Sequence, residues 1–150
     1  KGIIRQHQFE KVEIVQIVDP VNAEESLENI LQSAESILER LGLPYQRVLL
    51  ASGDIGFSAA KTVDIEVWLP GQKTYREISS CSIFTDFQSR RLNIKYKDKS
   101  NKKYFPFTLN GSALAIGRTL IALIENHTRD NLLHIPEALR PFYGDDIIKL

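Results

Sequence analysis

Glu13 is a carboxylate in a segment where charge is uncommon. It lies in a β-branched run from residue 10 to 18 and shares an alternating face with Lys11, Val15 and Ile17, since side chains of a strand alternate between two faces. A carboxylate on such a face is partly desolvated and needs a partner. The residues leave two possibilities open, an internal salt bridge with Lys11 or a lysine across the sheet, and a ligand cation.

Glu77 raises the same question in the run Tyr75–Ser82, which also contains three serines. Carboxylate and hydroxyl oxygens suit a magnesium–phosphate group. The alternative, which the residues alone favour, is an exposed polar strand face. Glu77 and Ser80 have opposite strand parity, so they can reach one ligand only if the strand bends or bulges between them.

Arg118 lies in an otherwise apolar helical segment, opposite a predicted stripe formed by Ile116, Leu120, Leu123 and Ile124. An arginine in that position is usually solvent-facing. Two nearby glycines, at 111 and 117, would however let a flat ligand approach the backbone, and a guanidinium stacks well on a planar base. Arg118 is therefore a candidate for contacting a nucleotide.

Other reactive or charged residues carry weaker indications. Cys81, the single cysteine, is expected in the core, and the three histidines, His7, His127 and His134, lack metal-ligand spacing. A local basic strip runs from Arg90 to Lys103. It is a solvated face by default, and an RNA contact is the alternative.

The elements that position these residues follow from periodicity. Apolar spacing predicts a helix from Leu27 to Leu41, ended by Gly42 and Pro44, and a second helix over 112–126. Strands are predicted over 10–18, 47–51, 62–69, 74–82 and 105–109, with 86–96 ambiguous, 97–103 a loop and the residues after 126 an extended tail. Hairpin-joined strands with two inserted helices predict an α+β fold, a mostly antiparallel sheet flanked by helices.

Bulk properties narrow the class of protein. The 150 residues are 43% hydrophobic and 25% charged, which predicts an ordinary globular domain without a membrane-spanning segment. One cysteine favours a reducing, cytoplasmic compartment. Nineteen basic and nineteen acidic residues cancel, so any RNA binding is expected on a local strip or elsewhere in a longer protein. The absence of methionine leads us to expect a fragment.

Three ordered stretches resemble class II aminoacyl-tRNA synthetases, specifically the seryl-tRNA synthetase family. The stretch 2–13 resembles the second half of motif 2, 108–120 resembles motif 3, and YREISSCS at 75–82 precedes DFQSRR at 86–91. The resemblance implies a class II synthetase-like antiparallel sheet. It also implies that residues 1–150 are a single partial catalytic domain, running from within motif 2 through motif 3.

The resemblance also implies residue roles. The family activates L-serine with Mg-ATP and transfers it to tRNA(Ser) as a homodimer. Carried over, ATP binding would involve Arg5, Gln6, Phe9, Glu77, Ile78, Ser79, Ser80 and Arg118, with Mg²⁺ held at Glu77 and Ser80 through ATP. Serine would contact Glu13, Asn110 and Ser112. The catalytic residues would be Arg5, Glu77 and Arg118.

Some family features lie outside this stretch or differ within it. The earlier motif 2 residues, motif 1 and the tRNA-gripping helical arm would lie upstream, and Ile83 stands where the family often has asparagine. We therefore expect the isolated chain to form seryl-adenylate too slowly to be useful, which serine-dependent ATP–pyrophosphate exchange would test. Two other interpretations stay open: a relative that charges a carrier protein, and a non-catalytic binding module derived from a synthetase.

Overall fold

The computed structural model describes residues 4–150. Four helices have these bounds: α1 Ala23–Arg40, α2 Phe87–Leu92, α3 Ile116–His127 and α4 Arg140–Tyr143. Ten strands have these bounds: β1 Lys11–Val18, β2 Tyr45–Leu49, β3 Lys61–Leu69, β4 Thr74–Ile83, β5 Tyr96–Lys97, β6 Lys103–Tyr104, β7 Phe107–Ala115, β8 Thr128–Arg129, β9 Leu132–His134 and β10 Ile147–Lys149. Short 3₁₀ turns occupy Pro20–Asn22 and Glu137–Leu139.

The central sheet has five strands in the order β1-β7-β4-β3-β2, and every neighbouring pair is antiparallel. This confirms the predicted sheet. Strands β8 to β10 form a second, three-stranded sheet, and β5 and β6 form a hairpin, so the segments predicted to be loop and extended tail contain regular structure. They escaped sequence analysis because two- and three-residue strands are too short to show a period.

Helix α1 covers one face of the central sheet. Its apolar side chains at three- and four-residue spacing, among them Leu27, Ile30, Ala34 and Leu38, are buried together with inward-facing residues of β3, β4 and β7. The helix ends as predicted, because Gly42 adopts φ +65°, a left-handed conformation that suits glycine. The opposite face of the sheet, called the open face below, includes Asp64 and Glu66 of β3, Glu77 and Ser80 of β4, Asn110 and Ser112 of β7, and Glu13 of β1.

The start and burial of α3 differ from the prediction. The segment 110–115 continues strand β7, and the helix begins at Ile116 rather than Ser112. Its buried residues are Thr119 and Ala122, because small side chains allow close approach to the sheet. The predicted apolar stripe is largely exposed, with Leu120 at 46%.

Candidate functional site

A β-bulge at Ile78 sets the geometry of strand β4. Ile65 of β3 pairs with Ser79, whereas the next residue, Glu66, pairs with Glu77, so Ile78 is the extra residue. The bulge shifts the side-chain alternation by one residue. Glu77 and Ser80, which regular alternation would place on opposite faces, therefore both lie on the open face. The bulge that the sequence required for one shared ligand is present.

Strands β4 and β7 part beside this bulge. Their ladder runs from Ile83↔Leu109 to Cys81↔Gly111 and goes no further. Backbone groups beyond it need other partners. The buried Ser79 hydroxyl donates to the Ser112 carbonyl, and Arg118 Nη1 donates to the Glu77 carbonyl at 2.7 Å. Side chains therefore replace part of the missing backbone pairing at this gap.

A cavity of about 190 Å³ lies at this gap. Its lining includes seven of the residues predicted to form the site, namely Arg5, Gln6, Phe9, Glu77, Ile78, Ser112 and Arg118. Phe9 keeps 56% of its surface exposed, which leaves its ring available for stacking. Gly117 also lines the cavity, and a Cβ there would lie 2.8 Å from Gln6 Oε1. A larger residue at 117 would therefore push into the cavity wall.

Arg118 is held in place rather than free in solvent. Besides its bond to Glu77, its Nε donates to the Ile4 carbonyl at 3.4 Å, and Nη1 lies 3.5 Å from Glu77 Oε1. The default expectation of a solvent-facing arginine was wrong. The expectation for Gly111 was also wrong, because this glycine faces the core: a Cβ there would lie 2.5 Å from Ile30 Cγ2 and 2.6 Å from Cys81 Sγ.

Glu13 lies at the centre of a small polar cluster. Its Oε2 is 2.8 Å from Lys11 Nζ and accepts a hydrogen bond of 3.1 Å from Ser112 Oγ. The salt bridge with Lys11 is thus present. The environment differs from the expected apolar face, because Val15 on the same face is 67% exposed. Glu13 therefore retains accessible surface and can meet a ligand.

The remaining predicted site residues do not all lie at the cavity. Asn110 pairs with Val15 and Ser82. It lies two residues before Ser112 on β7, so both side chains are on the open face. Ser79 faces away from it, hydrogen-bonded within the sheet. Glu13, Asn110, Ser79 and Ser80 do not line the 190 Å³ cavity. The structure thus gathers the predicted site along one face, with Ser79 behind it.

Two acidic residues of the open face, Asp64 and Glu66, could not be recognised as site candidates from the sequence. They belong to the open face of β3, opposite Ser80 and Glu77, and line an adjoining cavity of about 750 Å³ that shares Arg5 and Arg118 with the first. Their alternation with buried Val63 and Ile65 was the available signal. It pointed only to a polar face until the pairing with β4 was known.

The surroundings of Asp64 on the open face shift the pKa of its carboxyl group. Burial raises the pKa of its carboxyl group, Glu77 and Glu66 raise it further, and a hydrogen bond from Ser80 and the charge of Arg118 oppose them. Its Oδ1 is buried without a hydrogen-bond partner among residues 4–150. An unsatisfied carboxylate oxygen beside two other acids creates a need for positive charge.

Several other features bear on the class of site. Cys81 is fully buried, as predicted, and burial raises the pKa of its thiol, which disfavours the nucleophilic thiolate. Within the described range, no three His, Cys, Asp or Glu side chains are grouped to bind a metal ion by themselves. None of the helices in that range is long and apolar enough to cross a membrane.

Comparison with known proteins gives consistent matches. A serine–tRNA ligase from Fervidobacterium nodosum is 59% identical over 150 residues, which are 99% of this chain and 35% of the relative. Seryl-tRNA synthetase from Pyrococcus horikoshii, solved with ATP, matches with TM-score 0.95 and 41% identity, over 99% of this chain and 34% of that one. The cytoplasmic serine–tRNA ligase from Naegleria fowleri, solved with AMP, matches with TM-score 0.93 and 38% identity, over 99% and 36%.

The chain thus spans about 35% of the length of the curated relatives it matches. Over residues 1–127 it also matches the family described as tRNA synthetase class II core domain (G, H, P, S and T). The antiparallel sheet flanked by helices agrees with that match. The chain belongs to the class II tRNA synthetase core-domain family.

Proposed function

We propose that this chain forms the ATP- and serine-binding part of a serine–tRNA ligase. The observation that carries the proposal is the placement of the Glu13–Ser112 pair on the same open face as Glu77 and Ser80, beside the cavity lined by Phe9 and Arg118. Such a face can hold an amino acid next to a nucleotide. The relatives named as serine–tRNA ligases support serine as the amino acid.

Four residues outside strand β4 would bind the nucleotide. Phe9 and Arg118 line one cavity and supply the two surfaces that a purine stacks on, an aromatic ring and a guanidinium plane. Arg5, which lines both cavities, would bind phosphate oxygens, and Gln6 would contact ATP through its backbone. The relatives solved with ATP and AMP support this assignment.

Strand β4 fits Mg²⁺ carried by ATP. Glu77 and Ser80 offer oxygen donors on one face, the ligand type that Mg²⁺ prefers, and Mg²⁺ commonly takes few protein ligands together with substrate phosphates. When bound, the ion would neutralise phosphate charge. Ile78 lines the cavity, and Ser79 would act from behind by holding the Ser112 carbonyl.

The serine pocket would be formed by Glu13, Ser112 and Asn110. Glu13 already forms a salt bridge with Lys11 and accepts a hydrogen bond from Ser112, and it would bind the ammonium or hydroxyl group of serine. A carboxylate with accessible surface suits a cationic ligand group. Asn110, one alternation farther along β7, would complete the pocket with its amide.

Adenylate formation needs no nucleophile from the protein. The carboxylate of the amino acid attacks the α-phosphorus, and pyrophosphate leaves. The task of the chain is to align the two substrates and balance the charge that develops. Arg5, Glu77 and Arg118 would act as the catalytic residues in this sense. The buried thiol of Cys81 fits such a mechanism.

The wider proposal concerns the whole enzyme. Serine, ATP and tRNA(Ser) would be its partners, a homodimer its assembly and the cytoplasm its compartment, with residues 1–150 as one partial catalytic domain. These parts are supported by the resemblance of the motifs and by the names of the relatives.

Calorimetric titration of the 150-residue chain tests the proposal. A non-hydrolysable seryl-adenylate analogue should bind, and the alanyl analogue, which lacks only the side-chain hydroxyl, should bind at least ten-fold more weakly. Equal binding of both analogues would contradict the serine pocket, and no binding of either would refute the proposal. An aminoacylation assay of the full enzyme with tRNA and with a carrier protein distinguishes a tRNA ligase from a relative that charges a carrier protein.

A further inference from the structure

The segment from Asp86 to Phe105 concentrates positive charge. It contains seven basic and two acidic residues in a chain whose charges cancel, so the remainder of the chain is acidic overall. The segment comprises α2 and the β5–β6 hairpin, and we call it the basic rim. Such local excess in a neutral chain is the charge pattern of a confined polyanion contact.

The five lysines of the basic rim have no charge partners. Lys95, Lys97, Lys99, Lys102 and Lys103 are exposed, and across the described part of the chain no carboxylate lies within ion-pair distance of them. Asp98 does not neutralise them, because its Oδ1 accepts from the Ser100 and Lys102 backbone amides and the Ser100 hydroxyl. The lysine charges are therefore available to a ligand.

The strand pairing of the β5–β6 hairpin brings two lysines together, which is unfavourable when no anionic ligand is bound. Lys97 and Lys103 are directly opposite each other in the two strands, and like charges in that relation destabilise a strand pair. On the other face Tyr96 stacks near Tyr104, and its hydroxyl donates to Asp19 Oδ2 at 2.9 Å. The tyrosines thus anchor the hairpin to the end of β1, which leaves Lys97 and Lys103 facing outward.

Helix α2 adds planar groups beside the lysines. The Arg91 guanidinium carbon lies 3.4 Å from the centre of the Phe87 ring, and the Phe57 ring is 5.7 Å from Phe87 in an edge-on arrangement. Phe57 is 93% exposed. Exposed aromatic and guanidinium planes next to unpaired lysines are the features that bind unstacked bases and the phosphates between them.

The basic rim borders the open face that holds the proposed site. Thr108 Oγ1 donates to Gln88 Oε1 at 2.7 Å, so α2 lies over the start of β7 on that face. From Thr108 the face continues through Asn110 to Ser112, a distance of roughly 13 Å at the usual strand rise. A strand of RNA held at the rim can therefore reach the serine pocket with its end.

We propose that the basic rim binds the single-stranded 3′ end of an RNA and directs it along the open face toward Glu13 and Ser112. The inference rests on the proposed function, which requires the end of a tRNA to meet the activated serine. The lysines would bind phosphates, whereas Phe57 and the Arg91–Phe87 pair would contact bases. The rim would thus be the part of this chain that meets tRNA.

The test uses the 150-residue chain and a serine-tRNA transcript, with fluorescence anisotropy measured across a salt series. A variant with Lys97, Lys99, Lys102 and Lys103 all changed to Gln should bind at least ten-fold more weakly. The slope of log affinity against log salt should fall by roughly 2 to 3, as expected for loss of four single-strand phosphate contacts. The matched control changes Arg40, Lys73, Arg129 and Lys149 to Gln, four exposed cations outside the rim, and should keep the wild-type slope.

A second arm uses the same transcript without its single-stranded 3′ end, which should remove most of the difference between wild type and rim variant. No measurable RNA binding by the wild-type chain, an equal loss in the control, or an undiminished difference with the shortened transcript would each overturn the inference. Binding of the seryl-adenylate analogue is measured in parallel and should be unchanged in the rim variant. If the wild-type chain did not bind the analogue at all, the proposed function would be refuted instead.

Discussion

Arg118 donates from Nη1 to the backbone carbonyl of Glu77 at 2.7 Å and lies 3.5 Å from the carboxylate of the same residue. One arginine thus joins helix α3 to strand β4 where that strand has lost its β7 partner. Its guanidinium satisfies a backbone group and remains a wall of the cavity. Anchoring and ligand contact therefore depend on the same side chain.

Replacing Arg118 should weaken ATP binding. In Arg118→Ala the cavity loses one guanidinium plane and one of the positive charges that line it, so we expect roughly ten-fold lower affinity. Arg118→Lys keeps the charge without the plane and should recover only part of the loss. Calorimetric titration with ATP measures both. Arg129→Ala, an exposed arginine just beyond α3, is the control, and ATP affinity that is equal in the Arg118 and Arg129 variants would contradict the assignment.

Glu13→Gln should reduce affinity for the seryl-adenylate analogue about ten- to a hundred-fold while ATP affinity stays unchanged. The substitution removes the charge that Lys11 and Ser112 help to position, and charge-assisted hydrogen bonds are about twice as strong as neutral ones. Competition binding measures the analogue. Glu10→Gln alters an exposed carboxylate three residues earlier and should have no effect. If Glu13→Gln weakened the binding of ATP but not of the analogue, the assignment of Glu13 to the serine pocket would be contradicted.

Asp64 should make the protein less stable as pH rises. Because the folded pKa of its carboxyl lies above the ordinary value of 3.8, the folded state binds the proton more tightly. The free energy of unfolding then falls as pH rises from 3.8 through the folded pKa. Asp64→Asn should therefore be more stable than wild type at neutral pH, and the difference should vanish toward acid pH. Urea unfolding across a pH series measures this, with the exposed Asp54→Asn as control, and parallel curves for wild type and Asp64→Asn would refute it.

Gly111→Ala should destabilise the fold. The added Cβ would meet Ile30 Cγ2 and Cys81 Sγ at 2.5 and 2.6 Å, and both residues are fully buried. Overpacking of this kind costs about 1 to 3 kcal/mol, measurable by urea unfolding. Gly53→Ala, where a Cβ would have open space, is the matched control. Equal stability of the two variants would show that α1 can move away from the sheet at low cost.

The main elements could be predicted because each is long enough for its hydrophobic pattern to repeat several times. The eight residues of β1 and the eighteen of α1 repeat their patterns often enough to be recognised, and the strands of β3 and β4 were found with their turn. The boundary between β7 and α3 could not be placed. Asn110, Gly111 and Ser112 have the composition of a turn and helix cap, yet the two polar residues belong to the open face of a strand and the glycine to the core.

The site was predictable only as far as motifs and strand parity reach. Parity showed that Glu77 and Ser80 required a bulge, but it could not identify Ile78 as the extra residue, because that depends on the pairing with β3. Asp64 and Glu66 were missed for the same reason. Their relation to Glu77 is a relation between strands, and a single strand does not reveal its neighbour.

The extra residue at Ile78 also makes the length of β4 a functional quantity. Deleting Ile78 would leave Glu77 and Ser80 on one face by regular alternation, but it would remove the bulge and with it the local bend of β4 where this strand parts from β7. The turn at residues 70–73 lies outside the paired strands and has no such constraint. Insertions and deletions in this family should therefore be excluded from the stretch between Glu77 and Ser80 and tolerated a few residues before it.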